Sequence, residues 1–176
     1  SAYTQQRDTL RVMTYNLLNY RNNNATAPGC SNTNNNTTTK ENGLKTIVDY
    51  TLPDILICNE IGGSSSVNAF RILANSLNQN GRSYYDFTNS TGIGQSLVNM
   101  IYFDSSKVKL YRQDAITQDV FNVNLVRLID VYTLYYNDVN QLMNADTTFI
   151  TVIAAHLKAS NTTADRLQRA KATEAV

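Results

Sequence analysis

Four short stretches constrain what this chain can become. RVMTYNL (11–17), DILICNE (54–60), LVNMIYF (97–103) and FITVIAA (149–155) carry apolar side chains on both alternating faces of a strand. A strand with one wet face alternates apolar with polar, whereas a strand covered on both sides does not. Any fold that takes in these runs must therefore hold a sheet between two layers.

The segments between them supply candidate layers. LRVMTYNLL (10–18) leads into a polar, Asn-rich loop over 19–38, long enough to be a functional lip. A helix is expected from about Thr38, where Thr38 and Glu41 have capping-box spacing. Leu44, Ile47, Val48 and Thr51 give it one buried face, and Pro53 stops it. The strand DILICNEI (54–61) and a Gly-Gly-Ser-Ser-Ser turn precede a second helix, with Val67, Phe70, Leu73 and Leu77 along its stripe. NGRS (80–83) is a turn. Strands are expected over 84–88, 97–103, 109–116, 125–136 and 148–157, then a helix from Ala164 with Leu167, Ala170 and Lys171 in register. This order predicts an α/β sandwich with a mixed sheet. Without a repeat or a linker, 1–176 reads as part of one domain, with 1–9 a flexible N-terminus.

Composition narrows the function classes. Charged residues are only 16% of the 176, so solubility rests on Asn, Thr, Ser and Gln, a balance that points to a secreted or cell-surface bacterial protein. The formal charge of +1 gives no footprint for non-specific nucleic-acid binding, although a local basic rim stays open. No run of 18 apolar residues offers a membrane-spanning helix. The opening SAYTQQRD is not a signal peptide. Cys58 reads as a small buried hydrophobe and Cys30 lies in a polar loop, which leaves a disulfide between them open.

Three of the apolar runs end in a polar residue of useful chemistry: Asn16, Glu60 and His156, the only histidine in the chain. Taken singly, each has an ordinary explanation as a turn residue, a solvated loop residue or a satisfied structural imidazole. Together they stand at the carboxyl ends of strands, where α/β sheets bind ligands. An amide, a carboxylate and an imidazole gathered there suit a metal and a phosphate.

LRVMTYNLL, PDILICNEI, MIYFDSSKVKL and TVIAAHLKAS, in that order, resemble the endonuclease/exonuclease/phosphatase family from about residue 10 onward. The resemblance implies a DNase I-like four-layer α/β sandwich, and a Mg²⁺-dependent (or Mn²⁺- or Ca²⁺-dependent) phosphodiesterase. Asn16 would hold the phosphate or join Glu60 at the metal, and His156 would hydrogen-bond the scissile phosphate or assist proton transfer. Arg127, in NLVRLIDVYTL, would face the phosphate. Asn59 stands where the family more often has Gln. A secreted DNase I-like nuclease is the leading expectation. A phospholipid or inositol-phosphate phosphodiesterase or phosphatase, and a non-catalytic binding module on the same fold, are the alternatives.

The family's Gly-Asp-x-Asn and Ser-Asp-His motifs do not occur in the sequence. The expectation is therefore that the chain supplies the first half of the sandwich, as a mixed sheet with helices on one face. Its other face would then be apolar and uncovered, ready to pair with the missing half or a second copy, or to aggregate. The chain alone is expected to be inactive.

Overall fold

A computed structural model describes residues 9–22, 35–62, 65–92, 95–138, 143 and 147–176. The elements run β1 (Val12–Tyr20), α1 (Thr37–Thr51), β2 (Ile55–Gly62), α2 (Ser65–Ile72, continued by a π-helical turn Leu73–Leu77), β3 (Tyr85–Phe87), β4 (Leu97–Asp104), β5 (Val108–Gln118), β6 (Asn124–Tyr136), β7 (Phe149–Ala154) and α3 (Thr163–Glu174). They build two sheets rather than one. The first has the order β1-β2-β4-β3, with β1 and β2 parallel and the other pairs antiparallel. The second is antiparallel, in the order β5-β6-β7.

For DILICNE and LVNMIYF the two apolar faces are explained by what lies on each side of the first sheet, whereas FITVIAA supplies β7 of the second sheet and leaves Phe149 and Ile153 exposed. On one side Leu56, Cys58, Met100 and Tyr102 pack against Leu44 and Val48 of α1 and Ala69 and Ile72 of α2. On the other, Ile55, Ile57, Ile101 and Phe103 meet Val108, Tyr132, Leu134 and Ala154 of the second sheet. Over β2 and β4 the expected uncovered face is thus covered from within the chain, because the later strands form a sheet of their own, while Val12 of β1 and Ile153 of β7 stay exposed. α3 packs against β6, and Lys171 on it pairs with Asp119 in the β5–β6 turn at 3.3 Å.

Local chemistry moved three of the expected helix details. The N-cap of α1 is Asn36, whose Oδ1 accepts from the Thr39 N–H at 2.9 Å. Glu41 does no capping: it is buried and accepts from Tyr20 Oη at 2.6 Å and from Arg71 Nε at 3.0 Å. Leu52, at φ 44°, closes the helix one residue before Pro53. α2 does not bury the Val67–Phe70 stripe, since these side chains are 57% and 60% exposed. It buries Asn68, Ala69 and Ile72 instead. Asn68 is drawn inward because its amide donates to the Gly62 carbonyl and accepts from Arg21 Nε. In α3, Leu167 is likewise exposed, and Asp165 and Ala172 face inward.

Residues 1–8 and 23–34 lie outside the described residues, and with them most of the expected Asn-rich loop and Cys30. Cys58 is a buried free thiol. No helix among the described residues is long and apolar enough to cross a membrane.

Candidate active site

β1 and β2 run in register from Val12↔Ile55 to Asn16↔Asn59, lose it, and resume at Tyr20↔Ile61. The pairing of β2 with β4 breaks at the same level, between Cys58 and Ile61. Inside this double irregularity Leu18, Asn19 and Glu60 are left-handed, at φ 51°, 57° and 62°. Bulges re-aim side chains, and left-handed non-glycine residues are strained unless their surroundings hold them. Lys40 of α1 supplies part of that support, its Nζ donating to the Leu17 and Leu18 carbonyls that the kink releases.

The kinks bring three chain segments together. Asn16 Nδ2 donates to Glu60 Oε1 at 3.1 Å, and the Asn19 N–H donates to Oε2 at 2.9 Å. His156, two residues beyond the end of β7, places Nε2 3.2 Å from Glu60 Oε1. The Glu60 and His156 side chains are 14% and 18% exposed, so the pair is recessed but still reaches solvent. Burial lowers the His156 pKa first and the neighbouring Arg127 adds to this, while Glu60 opposes them. The ring is therefore neutral at pH 7.

The structure thus brings Asn16, Glu60 and His156 together. Arg127 joins them in a different posture. Its NH1 donates to the carbonyls of His156 and Leu157, both at 3.1 Å, and so clamps the segment that carries the imidazole. Asn59 does not face the cleft: it is buried, with Nδ2 2.7 Å from Asn99 Oδ1. The sequence reading passed over Lys40, Asn99, Asp130 and the Asn19 N–H. The signal for Asn99 and Asp130 was a polar residue inside an apolar run, which a buried strand admits only with a partner. A backbone N–H leaves no trace in sequence.

A divalent cation would be held here through one carboxylate. Among the described residues no group of three or more His, Cys, Asp or Glu side chains could hold a metal. Glu60 alone suffices for a hard cation that keeps most of its water. Among the described residues the ionisable group facing it, at 3.2 Å, is the neutral His156, not a Lys or Arg. Asn16 turns its oxygen to the Leu18 N–H, at 2.7 Å, and its NH₂ to Glu60. In this arrangement it orients the carboxylate.

No protein-family model matches the chain, and no curated protein matches it in sequence. Solved structures do match in three dimensions. The human Nocturnin catalytic domain with bound sulfate superposes with a TM-score of 0.58 at 18% identity, over 94% of this chain and 56% of that one. An endonuclease/exonuclease/phosphatase family protein from Bacteroides thetaiotaomicron gives 0.57 at 14%, over 93% and 55%. ANGEL2, a 2′,3′-cyclic phosphatase, gives 0.52 at 17%, over 84% and 41%. At these identities the likeness is one of fold: the chain has the DNase I-like fold of the endonuclease/exonuclease/phosphatase proteins. It spans about half the length of the Nocturnin and Bacteroides domains.

Proposed function

We propose that the protein carrying this chain is a divalent-metal-dependent phosphodiester hydrolase, acting on nucleic acid as an exported DNase I-like nuclease. The observation that carries this reading is the meeting of Asn16, Glu60 and His156, from three strands and both sheets, on one recessed carboxylate. The fold likeness supports it, since one neighbour holds a sulfate, a tetrahedral oxyanion like phosphate, and another is a cyclic phosphatase. The Asn- and Thr-rich composition supports export.

Phosphoryl transfer asks a protein chiefly for positioning and charge neutralisation. Mg²⁺, or Mn²⁺ or Ca²⁺, held through Glu60 would neutralise charge on the phosphoryl group and the leaving oxygen. Asn16 and the Asn19 N–H fix the rotation of that carboxylate. His156, neutral and clamped from behind by Arg127, offers an N–H donor whose bond strengthens as charge develops on a phosphoryl oxygen.

The test is hydrolysis by the whole protein of DNA, RNA, inositol phosphates and phospholipids, each with Mg²⁺ and with a chelator. Metal-dependent cleavage of nucleic acid is expected, and Glu60→Gln should lower it by about 100-fold or more. Full activity of Glu60→Gln at saturating Mg²⁺ overturns the assignment. Cleavage confined to the lipid or inositol substrates replaces the nuclease with the phosphodiesterase alternative.

A further inference from the structure

The seam between the two sheets changes character along its length. On β2 the residues facing the second sheet are Ile55, Ile57 and then Asn59; on β4, antiparallel to it, they are Phe103, Ile101 and then Asn99. On β6 the sequence is Leu134, Tyr132 and then Asp130. Three strands from two sheets thus switch from apolar to polar in the same layer, the one beneath Glu60 and His156. All three polar side chains are buried, at 9%, 5% and 3% exposure.

Asn99 uses its whole amide in this layer. Oδ1 accepts from Asn59 Nδ2 at 2.7 Å. Nδ2 donates to Asp130 Oδ2 at 2.9 Å and to the Ala154 carbonyl at 3.2 Å. Thr91 closes the far end on Asp130 Oδ1, and Thr14 reaches Asn59 Oδ1 at 3.4 Å. Asn59 directly precedes Glu60, and Ala154 lies two residues before His156. One side chain therefore ties together the two strands that deliver the facing groups.

Stability alone does not call for this arrangement. Apolar groups of matching shape serve a sheet seam as well as a buried polar network does, as the layers on Ile57 and Ile101 show. An apolar contact tolerates sliding, whereas a hydrogen bond fixes distance and direction. We propose that Asn99 is a positioning residue of this site, setting the spacing of Glu60 and His156 by linking Asn59 on β2 to Ala154 on β7. The proposal rests on the reading of Glu60 and His156 as the site.

The experiment has a readout that needs no turnover. His156 is the only histidine of the chain, so ¹⁵N-labelled protein gives one imidazole spectrum. Because Nε2 lies 3.2 Å from Glu60 Oε1, the imidazole ¹⁵N shifts of the 176-residue chain should move when Glu60→Gln removes the carboxylate. Asn99→Leu should keep a cooperative thermal transition yet lose that sensitivity to Glu60. Asp130→Asn, which retains an acceptor for Asn99, should keep it. In the whole protein, Asn99→Leu should lower kcat by roughly 10-fold or more with KM little changed, the pattern of misplaced groups. Should Asn99→Leu fail to fold, Asn59→Leu cuts the same link and carries the same expectation. A folded Asn99→Leu variant whose imidazole shifts match those of the parent chain overturns the proposal. A changed signal in a protein without metal-dependent hydrolysis upholds the positioning and overturns the hydrolase reading instead.

Discussion

His156 Nε2 lies 3.2 Å from Glu60 Oε1, a contact that joins the end of one sheet to the end of the other. An imidazole and a carboxylate so placed serve a reaction more directly than they serve packing. His156→Ala is therefore expected to reduce turnover by about 100-fold, the scale of losing one oriented donor. The melting temperature should change little, because the ring is only partly enclosed. A large drop in melting temperature with turnover unchanged would make His156 an ordinary structural imidazole.

Glu60 occupies a left-handed conformation, φ 62°, inside a strand. Glycine adopts that conformation freely, and alanine meets its own backbone there at roughly 1–2 kcal/mol. Glu60→Gly should therefore be more stable than Glu60→Ala by about 1 kcal/mol, the reverse of their usual order within a strand. Denaturant melts of the two variants decide it. The usual order would remove the strained bulge from the account of the site.

Burial holds the Asp130 carboxyl above its usual range, against hydrogen bonds from Thr91 and Asn99 that act to lower it. Such a group binds its proton more tightly folded than unfolded. The stabilisation from that proton is complete below the ordinary carboxylate value near 3.8 and is lost as pH rises through the folded value. At neutral pH the buried charge is a cost. Asp130→Asn is expected to raise the melting temperature at pH 7, with the gain fading by about pH 3. A variant less stable than wild type at pH 7 would show that the network needs the charge.

Gly62 closes β2 directly under Asn22. A Cβ there would lie 2.6 Å from Asn22 Cβ and 2.7 Å from its Cα, contacts that only a backbone shift relieves. Asn22 N–H donates to the Asn19 carbonyl at 3.0 Å, so such a shift reaches the residue whose own N–H holds Glu60. Gly62→Ala should cost about 1–3 kcal/mol. Activity should fall further than the unfolded fraction explains, which turnover measured well below the melting temperature checks.

Asn16, Glu60 and His156 were legible because each ends an apolar run, where a polar residue breaks a pattern. Their mutual distances were not, since these depend on left-handed turns at Leu18, Asn19 and Glu60 that ordinary side chains do not announce. The doubly apolar strands called for cover on both faces. The second cover was expected from outside the chain, yet β5, β6 and β7 supply it over β2 and β4, because a strand run does not say which sheet it joins. In α2 the stripe Val67, Phe70, Leu73, Leu77 fits helical spacing well. Leu73 and Leu77 do pack on the core, whereas Val67 and Phe70 turn outward because Asn68 is held inward by Gly62 and Arg21. Asn36 took the cap from Thr38 because its side chain reaches the Thr39 N–H, while Glu41 was claimed by Tyr20 and Arg71.

Cys58 lies wholly enclosed between the first sheet and the helices α1 and α2. Burial pushes its thiol up, so the reactive thiolate is suppressed as well as shielded. A thiol reagent can attach there only when sheet and helices part, and its rate of uptake counts those openings. Peptide mass separates that label from any on Cys30. A sulfur that fits between a sheet and two helices thereby becomes a recorder of how often the layer breathes, with no substrate required.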